Sequence, residues 1–221
     1  MKITLPGSKE TLNVGKILCI GRNYAKHAAE MKSDVPDQPM VFLKPSTAII
    51  RSGGVVVLPQ QSQDVHHEVE LVAVIGEGGR NIPRDEALHH VAAYAVGLDM
   101  TARDIQSVAK ANRHPWSVAK GFDTFAPLGP LTPADQIGDP QDLSISVEVS
   151  GETRQSGETK DMIFPVAELI HYTSTIFTLE PGDLIYTGTP DGVGPVEDGD
   201  VIEARLTGCS PLLVRVARQA D

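Results

Sequence analysis

His66-His67-Glu68-Val69-Glu70-Leu71-Val72-Ala73-Val74-Ile75, closed by the turn Gly76-Glu77-Gly78-Gly79, reads as a strand from His67 to Ile75. It is the longest strand that the sequence predicts. The others are Lys16–Ile20, Met40–Leu43, Val55–Leu58, Tyr94–Leu98, Leu143–Val149, Asp183–Tyr186, Val201–Leu206 and Leu212–Val216. Their apolar runs are short, and 20 Gly and 16 Pro punctuate the 221 residues. Helical patterns are confined to Asn23–Met31, Arg84–Ala92 behind Pro83, Thr101–Ala111 and Pro165–Phe177. Strands outnumber helices and do not alternate with them, so the fold class is β-rich α+β and not a doubly wound sheet.

Length and composition suit one globular domain, with 41% hydrophobic and 22% charged residues. The net charge of −10 disfavours nucleic acid and anionic membrane as partners, because both select basic surfaces. No apolar run approaches the roughly 20 residues of a membrane span. The N-terminus carries Pro6-Gly7 and no signal-peptide core. Cys19 and Cys209 are far apart and show no metal or redox spacing. A cytoplasmic protein is the expectation. An anionic substrate would meet a repelling global field, which a bound cation with local Arg and Lys would offset.

Residues two apart on a strand share a face, so Glu68 and Glu70 project together. Two readings fit them: an exposed charged strand end, or a carboxylate pair neutralised by a divalent cation. A second acidic signal follows in Gly97-Leu98-Asp99-Met100-Thr101-Ala102-Arg103-Asp104-Ile105-Gln106. Asp99, Arg103 and Gln106 fall at steps of four and three and can share a helical face. Asp99 reads either as a helix N-cap or as a third ligand. Three carboxylates without cysteine would make a hard oxygen site, suited to Mg²⁺, Mn²⁺ or Ca²⁺ rather than Zn²⁺. His66 is either a further ligand or a packed imidazole.

His27 and Glu30, three apart on a predicted helix, form either a surface pair or a carboxylate-supported general base. Lys120 follows the structured segment Pro115-Trp116-Ser117-Val118-Ala119. Thr187-Gly188-Thr189-Pro190-Asp191-Gly192-Val193-Gly194-Pro195 is a Gly/Pro-rich loop after a strand. Its backbone N–H groups can serve a carboxylate. It has neither the Lys-Ser/Thr of a Walker A loop nor the helix of a dinucleotide fingerprint.

Taken in order, Gly21-Arg22-Asn23-Tyr24 with His27 and Glu30, Phe42-Leu43-Lys44-Pro45, Glu68-Val69-Glu70-Leu71, Asp99-Met100-Thr101-Ala102-Arg103-Asp104, Lys120 and Thr187-Gly188-Thr189-Pro190 with Gly192-Val193-Gly194-Pro195 resemble the fumarylacetoacetate hydrolase family. The resemblance spans about residues 15–216 of a single catalytic domain, 1–221. It implies a mixed β-sandwich roll, a homodimer, and Mg²⁺ or Mn²⁺ on Glu68, Glu70 and Asp99. It implies that His27 and Glu30 form a water-activating dyad on a helix that orders with ligand, within Tyr24–Asp37. Lys120 would stabilise developing negative charge, and Arg22, Arg103, Gln106 and Thr189 would contact a small keto acid. The implied activity is C–C bond hydrolysis of acylpyruvates. The alternatives are oxaloacetate decarboxylation, oxaloacetate keto–enol tautomerisation and, outside enzymes, a metal- and keto-acid-binding protein without turnover.

Overall fold

The structure is a computed structural model that describes residues 1–5, 7, 11–30 and 35–219. Among these residues the strand Val69–Ile75 lies inside an eight-stranded sheet. The order across it is Met40–Lys44, Ile17–Gly21, Leu184–Tyr186, Val69–Ile75, Val91–Leu98, Ala126–Leu128 and Ile49–Arg51, with Thr132–Pro133 added beside Val91–Leu98. All residues of Val69–Ile75 are buried. That explains its unbroken apolar run, since a strand covered on both faces has no polar side to alternate with.

The period of two shows instead in which core each residue enters. Val69, Leu71, Ala73 and Ile75 join one apolar cluster, whereas Val72 and Val74 join another on the opposite face. The neighbouring strands divide in the same way, Leu18 and Ile20 against Ile17 and Cys19, and Tyr94 and Val96 against Ala93 and Ala95. The larger cluster is shared with a second sheet, ordered Glu152–Glu158, Ser144–Val149, Val201–Leu206, Leu212–Arg218 and Val55–Leu58.

Beside two small sheets, Lys2–Thr4 with Thr11–Asn13 and Val65–His67 between Thr101–Ala102 and Gly194–Pro195, the described residues hold four α-helices: α1 (Ala25–Glu30), α2 (Arg103–Ala111), α3 (Ser117–Lys120) and α4 (Val166–Ile176). In α4, Val166, Leu169, Ile170 and Thr173 repeat at helical spacing and are buried, so its apolar face closes the larger cluster. Most strand pairs are antiparallel, but Leu184–Tyr186 runs parallel to Ile17–Gly21, Ala126–Leu128 to Ile49–Arg51, and Leu212–Arg218 to Val55–Leu58. A curled, mixed sheet packed on a second sheet agrees with the β-rich α+β class and with the sandwich roll.

Two expectations change. The helix expected over Arg84–Ala92 is a turn followed by the short 3₁₀ segment Ala87–His90, and the strand begins at Val91. Pairing of Val91 with Ile75 holds the chain extended there, overriding a weak helical period. The single strand His67–Ile75 is two strands, Val65–His67 and Val69–Ile75, in different sheets. Helix α1 is shorter than Asn23–Met31, and Met31 lies outside the described residues. Strand Glu152–Glu158 was not anticipated, because its residues are almost all polar and only Gln155 is buried.

Leu71 is fully buried in the larger cluster. Leu71→Ala should lower unfolding free energy by about 2–5 kcal/mol, the usual cost of a cavity of that size. Urea denaturation followed by circular dichroism measures it, and an unchanged midpoint would contradict this packing.

Candidate active site

Strand register builds the centre of the site. Val69 pairs with Leu98 and Glu70 with Gly97. One step further, Asp99 N–H donates to Glu68 O at 2.8 Å, setting Asp99 directly opposite Glu68. Glu68, Glu70 and Asp99 are all buried, and each offers an oxygen within 4.8 Å of the other two.

Three cations face these three carboxylates. Lys120 Nζ bridges Glu68 Oε2 at 2.8 Å and Asp99 Oδ2 at 2.6 Å. Arg103 donates to Glu68 Oε1 at 2.6 Å. Lys44, fully buried, lies 2.6 Å from Asp99 Oδ1. Its hydrogens point elsewhere, to the carbonyls of Met100, Lys120 and Phe125 at 2.5–2.9 Å. Asp99 Oδ1 therefore has an ion pair but accepts no hydrogen bond.

The electrostatics are uneven. Burial raises the Glu68 carboxyl, but Lys120, Arg103 and His27 outweigh it and hold the group well below the usual carboxylate range. Glu70 goes the other way: burial, Asp99 and Glu68 push it well up, and the Gly188 N–H and Lys120 only partly offset them. Burial acts to lower Lys120, yet Asp99 and Glu68 raise it further, so it is a firm cation. A divalent cation fits these residues. It would relieve Glu70, which has no ion-pair partner among the described residues, and occupy the free lone pairs of Asp99 Oδ1. Oxygen donors alone select a hard ion.

Helix α1 lays His27 along the same cleft. His27 Nδ1 lies 3.1 Å from Glu30 Oε2, and Glu30 Oε1 accepts the Gly192 N–H at 3.1 Å. A carboxylate only accepts, so Nδ1 carries the proton and Nε2 is left as a base. Gly192 sits at φ 93°, and a Cβ there would strike Arg154 O.

Thr189 is oriented through the second sheet. Gln155 Nε2 donates to Thr189 Oγ1 and to Pro190 O, both at 2.8 Å. Gln155 Oε1 accepts from Val69 N and His67 Nδ1 at 3.0 Å. Burial lowers His67, which suits a neutral ring in that role. Asn23 secures the start of the same loop, donating to Thr187 O at 2.7 Å, and also donates to Phe164 O at 3.0 Å. Beside it, Arg22 takes a left-handed backbone, φ 59°, and lines the cleft.

The cleft thus gathers His27, Glu68, Glu70, Asp99, Lys120, Arg22, Arg103, Gln106 and Thr189. Glu30 stands behind His27. Asp99 is not on the helix or its N-cap: α2 starts at Arg103, behind the two-residue strand Thr101–Ala102, and Ala102 is its N-cap. Arg103 and Gln106 do share a face, joined at 2.8 Å. His66 is not in the cluster and pairs with Asp64 at 2.8 Å. Lys44 and Gln155 went unassigned, as did Lys110. Lys110 extends the Arg103–Gln106 face by one turn, a spacing legible in the sequence.

Residues 16–217 match the family described as Fumarylacetoacetate (FAA) hydrolase C-terminal. The chain belongs to the fumarylacetoacetate hydrolase family. Its relatives within it include the mitochondrial oxaloacetate tautomerase of Arabidopsis thaliana, 50% identical over 204 residues, 92% of each chain. The mitochondrial oxaloacetate decarboxylase of Dictyostelium discoideum is 49% identical over 194 residues, 87% of this chain and 89% of that one. Among solved structures, the fumarylpyruvate hydrolase of Pseudomonas aeruginosa with Mn²⁺ and pyruvate superposes with a TM-score of 0.94 at 44% identity, covering 99% of this chain and 96% of that one.

Glu70 is the carboxylate of the three that can be neutralised without orphaning a cation, because its described hydrogen bond comes from the Gly188 N–H. Glu70→Gln should therefore fold normally yet lose the rise in melting temperature that Mn²⁺ gives the native protein. At a hundredfold excess over the dissociation constant that rise reflects about 2.7 kcal/mol. Asp99→Ala, by contrast, should melt early even without metal, since Lys44 loses its buried counter-ion and Lys120 one of its two. Scanning calorimetry separates the two, and a full Mn²⁺ response in Glu70→Gln would refute the cage.

Proposed function

We propose that this chain is a divalent-metal-dependent enzyme that enolises a 2-oxo acid bearing a second carbonyl. We take oxaloacetate as substrate, and tautomerisation or decarboxylation as outcome. One observation carries the reading: the carboxylate cage, Lys120 and the His27–Glu30 dyad open onto one cleft. The oxaloacetate-directed names of relatives near 50% identity support that substrate. Mn²⁺ and pyruvate in the Pseudomonas structure support Mg²⁺ or Mn²⁺ and a pyruvate-like end.

Glu68, Glu70 and Asp99 would hold the cation, which supplies Lewis-acid polarisation of the 2-oxo group. Lys120 presents a fixed ammonium to the oxygen on which enolate charge develops. Arg103 and Gln106 orient the substrate carboxylate, and Thr189, held by Gln155, limits its rotation. His27, its tautomer fixed by Glu30, moves a proton at C3. Decarboxylation at this site needs the enolate to be stabilised but no base.

C–C hydrolysis of acylpyruvates is the second reading, favoured by the dyad, because a base set beside the cleft can equally activate water. The Pseudomonas fumarylpyruvate hydrolase supports it. One catalytic domain, a homodimer and no nucleic-acid or membrane partner complete the proposal. Two free cysteines suit a reducing cytoplasm, and a mitochondrial matrix suits them equally. Among the described residues, no helix is long and apolar enough to cross a membrane.

Chelator should abolish turnover, and Mg²⁺ or Mn²⁺ restore it. Unchanged ultraviolet absorbance of oxaloacetate enol and of acylpyruvate enol, with metal present, would reduce the protein to a binder. His27→Ala should slow tautomerisation or hydrolysis by about 10²–10⁴-fold and leave decarboxylation nearly intact. Equal loss of all three would show that His27 organises the site rather than moving protons.

Helix α1 buries only His27 and Ala28 and is tied to its neighbours mainly through Glu30 and Gly192. Its amides should gain hydrogen-exchange protection when oxalate and Mg²⁺ are added, as a closing lid requires. Identical protection with and without them would make α1 a fixed wall. Residues 31–34 of the expected lid lie outside the described residues.

A further inference from the structure

His66 stands outside the carboxylate cluster, yet it holds one of two complementary orphaned atoms. Its Nε2 lies 2.8 Å from Asp64 Oδ1. A carboxylate only accepts, so Nε2 carries the proton and Nδ1 keeps a lone pair. Burial and the charge of Arg103 lower the imidazole, and Asp64 only partly offsets them, in keeping with a neutral ring. Nδ1 is buried and has no hydrogen-bond partner among the described residues. Arg103 Nε is the converse, a buried donor with no acceptor among them. The other two nitrogens of Arg103 are engaged, Nη2 with Glu68 Oε1 at 2.6 Å and Nη1 with Gln106 Oε1 at 2.8 Å.

Strand register brings the two orphans together. Val65–His67 runs antiparallel to Thr101–Ala102, with Thr101 opposite His66 and Ala102 opposite Val65. The next rung sets Arg103 opposite Asp64, where the Arg103 N–H donates to Asp64 O at 2.7 Å. Asp64, His66, Thr101 and Arg103 therefore share one side of the ribbon. His66 is the diagonal neighbour of Arg103, about 7–8 Å away and within reach of a long side chain. The same loop clamps the first turn of α2, since Asp104 accepts from the Ser62 hydroxyl at 2.7 Å and from the Gln63 N–H at 2.9 Å. The backbone under Arg103 is thus held, and what remains to be fixed is its side chain. A buried donor and a buried acceptor left unpaired each cost stability, and one water between them satisfies both.

We infer that Asp64 and His66 are positioning residues for Arg103, acting through one buried water that accepts from Arg103 Nε and donates to His66 Nδ1. Asp64 sets the tautomer, the tautomer exposes the lone pair, and the lone pair fixes the plane of the guanidinium. Glu68 and Gln106, the other partners of Arg103, are themselves groups of the cleft, whereas His66 anchors it from outside. That plane has a second effect. Gln106 Oε1 accepts from Arg103 Nη1, so the Gln106 amide nitrogen is the atom left to donate to a ligand. The inference rests on the proposed reading only in that Arg103 and Gln106 then contact substrate.

Nitrogen NMR of the whole protein reads the linkage without substrate. His66 should show a neutral imidazole with its proton on Nε2, and Asp64→Leu should let the proton divide between the two nitrogens. The Arg103 Nε–H, assigned through Arg103→Lys, should exchange slowly with solvent. His66→Leu should speed that exchange by about tenfold or more, the scale of one buried hydrogen bond. His66→Asn, whose side-chain oxygen can stand where Nδ1 stood, should keep it slow. With oxaloacetate and saturating Mg²⁺, His66→Leu should raise KM by a similar factor and spare kcat, and His66→Asn should restore KM. Asn fills the place of the ring less well than Leu does, so mere loss of packing predicts the opposite order. A native proton on Nδ1, or an Arg103 Nε–H that exchanges equally fast in native protein and in His66→Asn and His66→Leu, would overturn the linkage. A confirmed linkage with KM unmoved in His66→Leu would refute the positioning role. Slow exchange that depends on His66, in a protein that turns over no oxaloacetate or acylpyruvate, would keep the linkage and sink the proposed reaction.

Discussion

Three carboxylates within 4.8 Å of one another cannot stay buried and ionised without positive charge among them. The centre of this protein is arranged around that constraint. The antiparallel register of Val69–Ile75 with Val91–Leu98 brings Asp99 to Glu68, and Lys120 and Lys44 occupy the two sides of Asp99. Lys44 does more than balance charge. Its three carbonyl acceptors belong to Met100, Lys120 and Phe125, so one ammonium ties the segment after Asp99 to the end of α3. Among the three, Glu70 alone is left without a cation, and burial with Asp99 and Glu68 pushes its carboxyl well up.

Much of this was legible before any coordinates. The strands Val55–Leu58 and Val201–Leu206 fall where their apolar content places them, and α4 where its helical period does. The Glu-x-Glu pair shares a cleft as expected, although Glu68 sits in the break between two strands and only Glu70 is within one. What escaped is physically coherent. Glu152–Glu158 is an outer strand with almost nothing to bury, so neither apolar period nor turn residues marked it. Arg84–Ala92 carried a local helical preference that long-range pairing of Val91 overrode. Asp99 reached the site through a sheet register and not through a helical face. Spacing within one segment does not encode pairing between two.

The unassigned residues have a common character. Lys44, Gln155 and Asn23 are buried polar side chains whose partners lie far off in sequence, at separations of 34 to 164 residues. A lone lysine in Phe42-Leu43-Lys44-Pro45 gives no sign of an oxygen cage about to close on it. Lys110 is different, since its relation to Gln106 is local and plain once the face of α2 is known to look into the cleft.

The loop after Tyr186 reaches both the carboxylate cluster and α1. Gly188 donates to Glu70, Thr189 lines the cleft, and Gly192 receives Glu30 from α1. These contacts fall within five consecutive residues, whose backbone is pinned at one end by Leu71 and Asn23 and further along by Gln155. A short, pinned loop moves as a unit. A cation held at Glu70 and the seating of α1 at Gly192 would therefore draw on the same backbone, and linkage would make their effects reciprocal. Whatever free energy such an ion lent to helix docking, the docked helix would lend to retention of the ion.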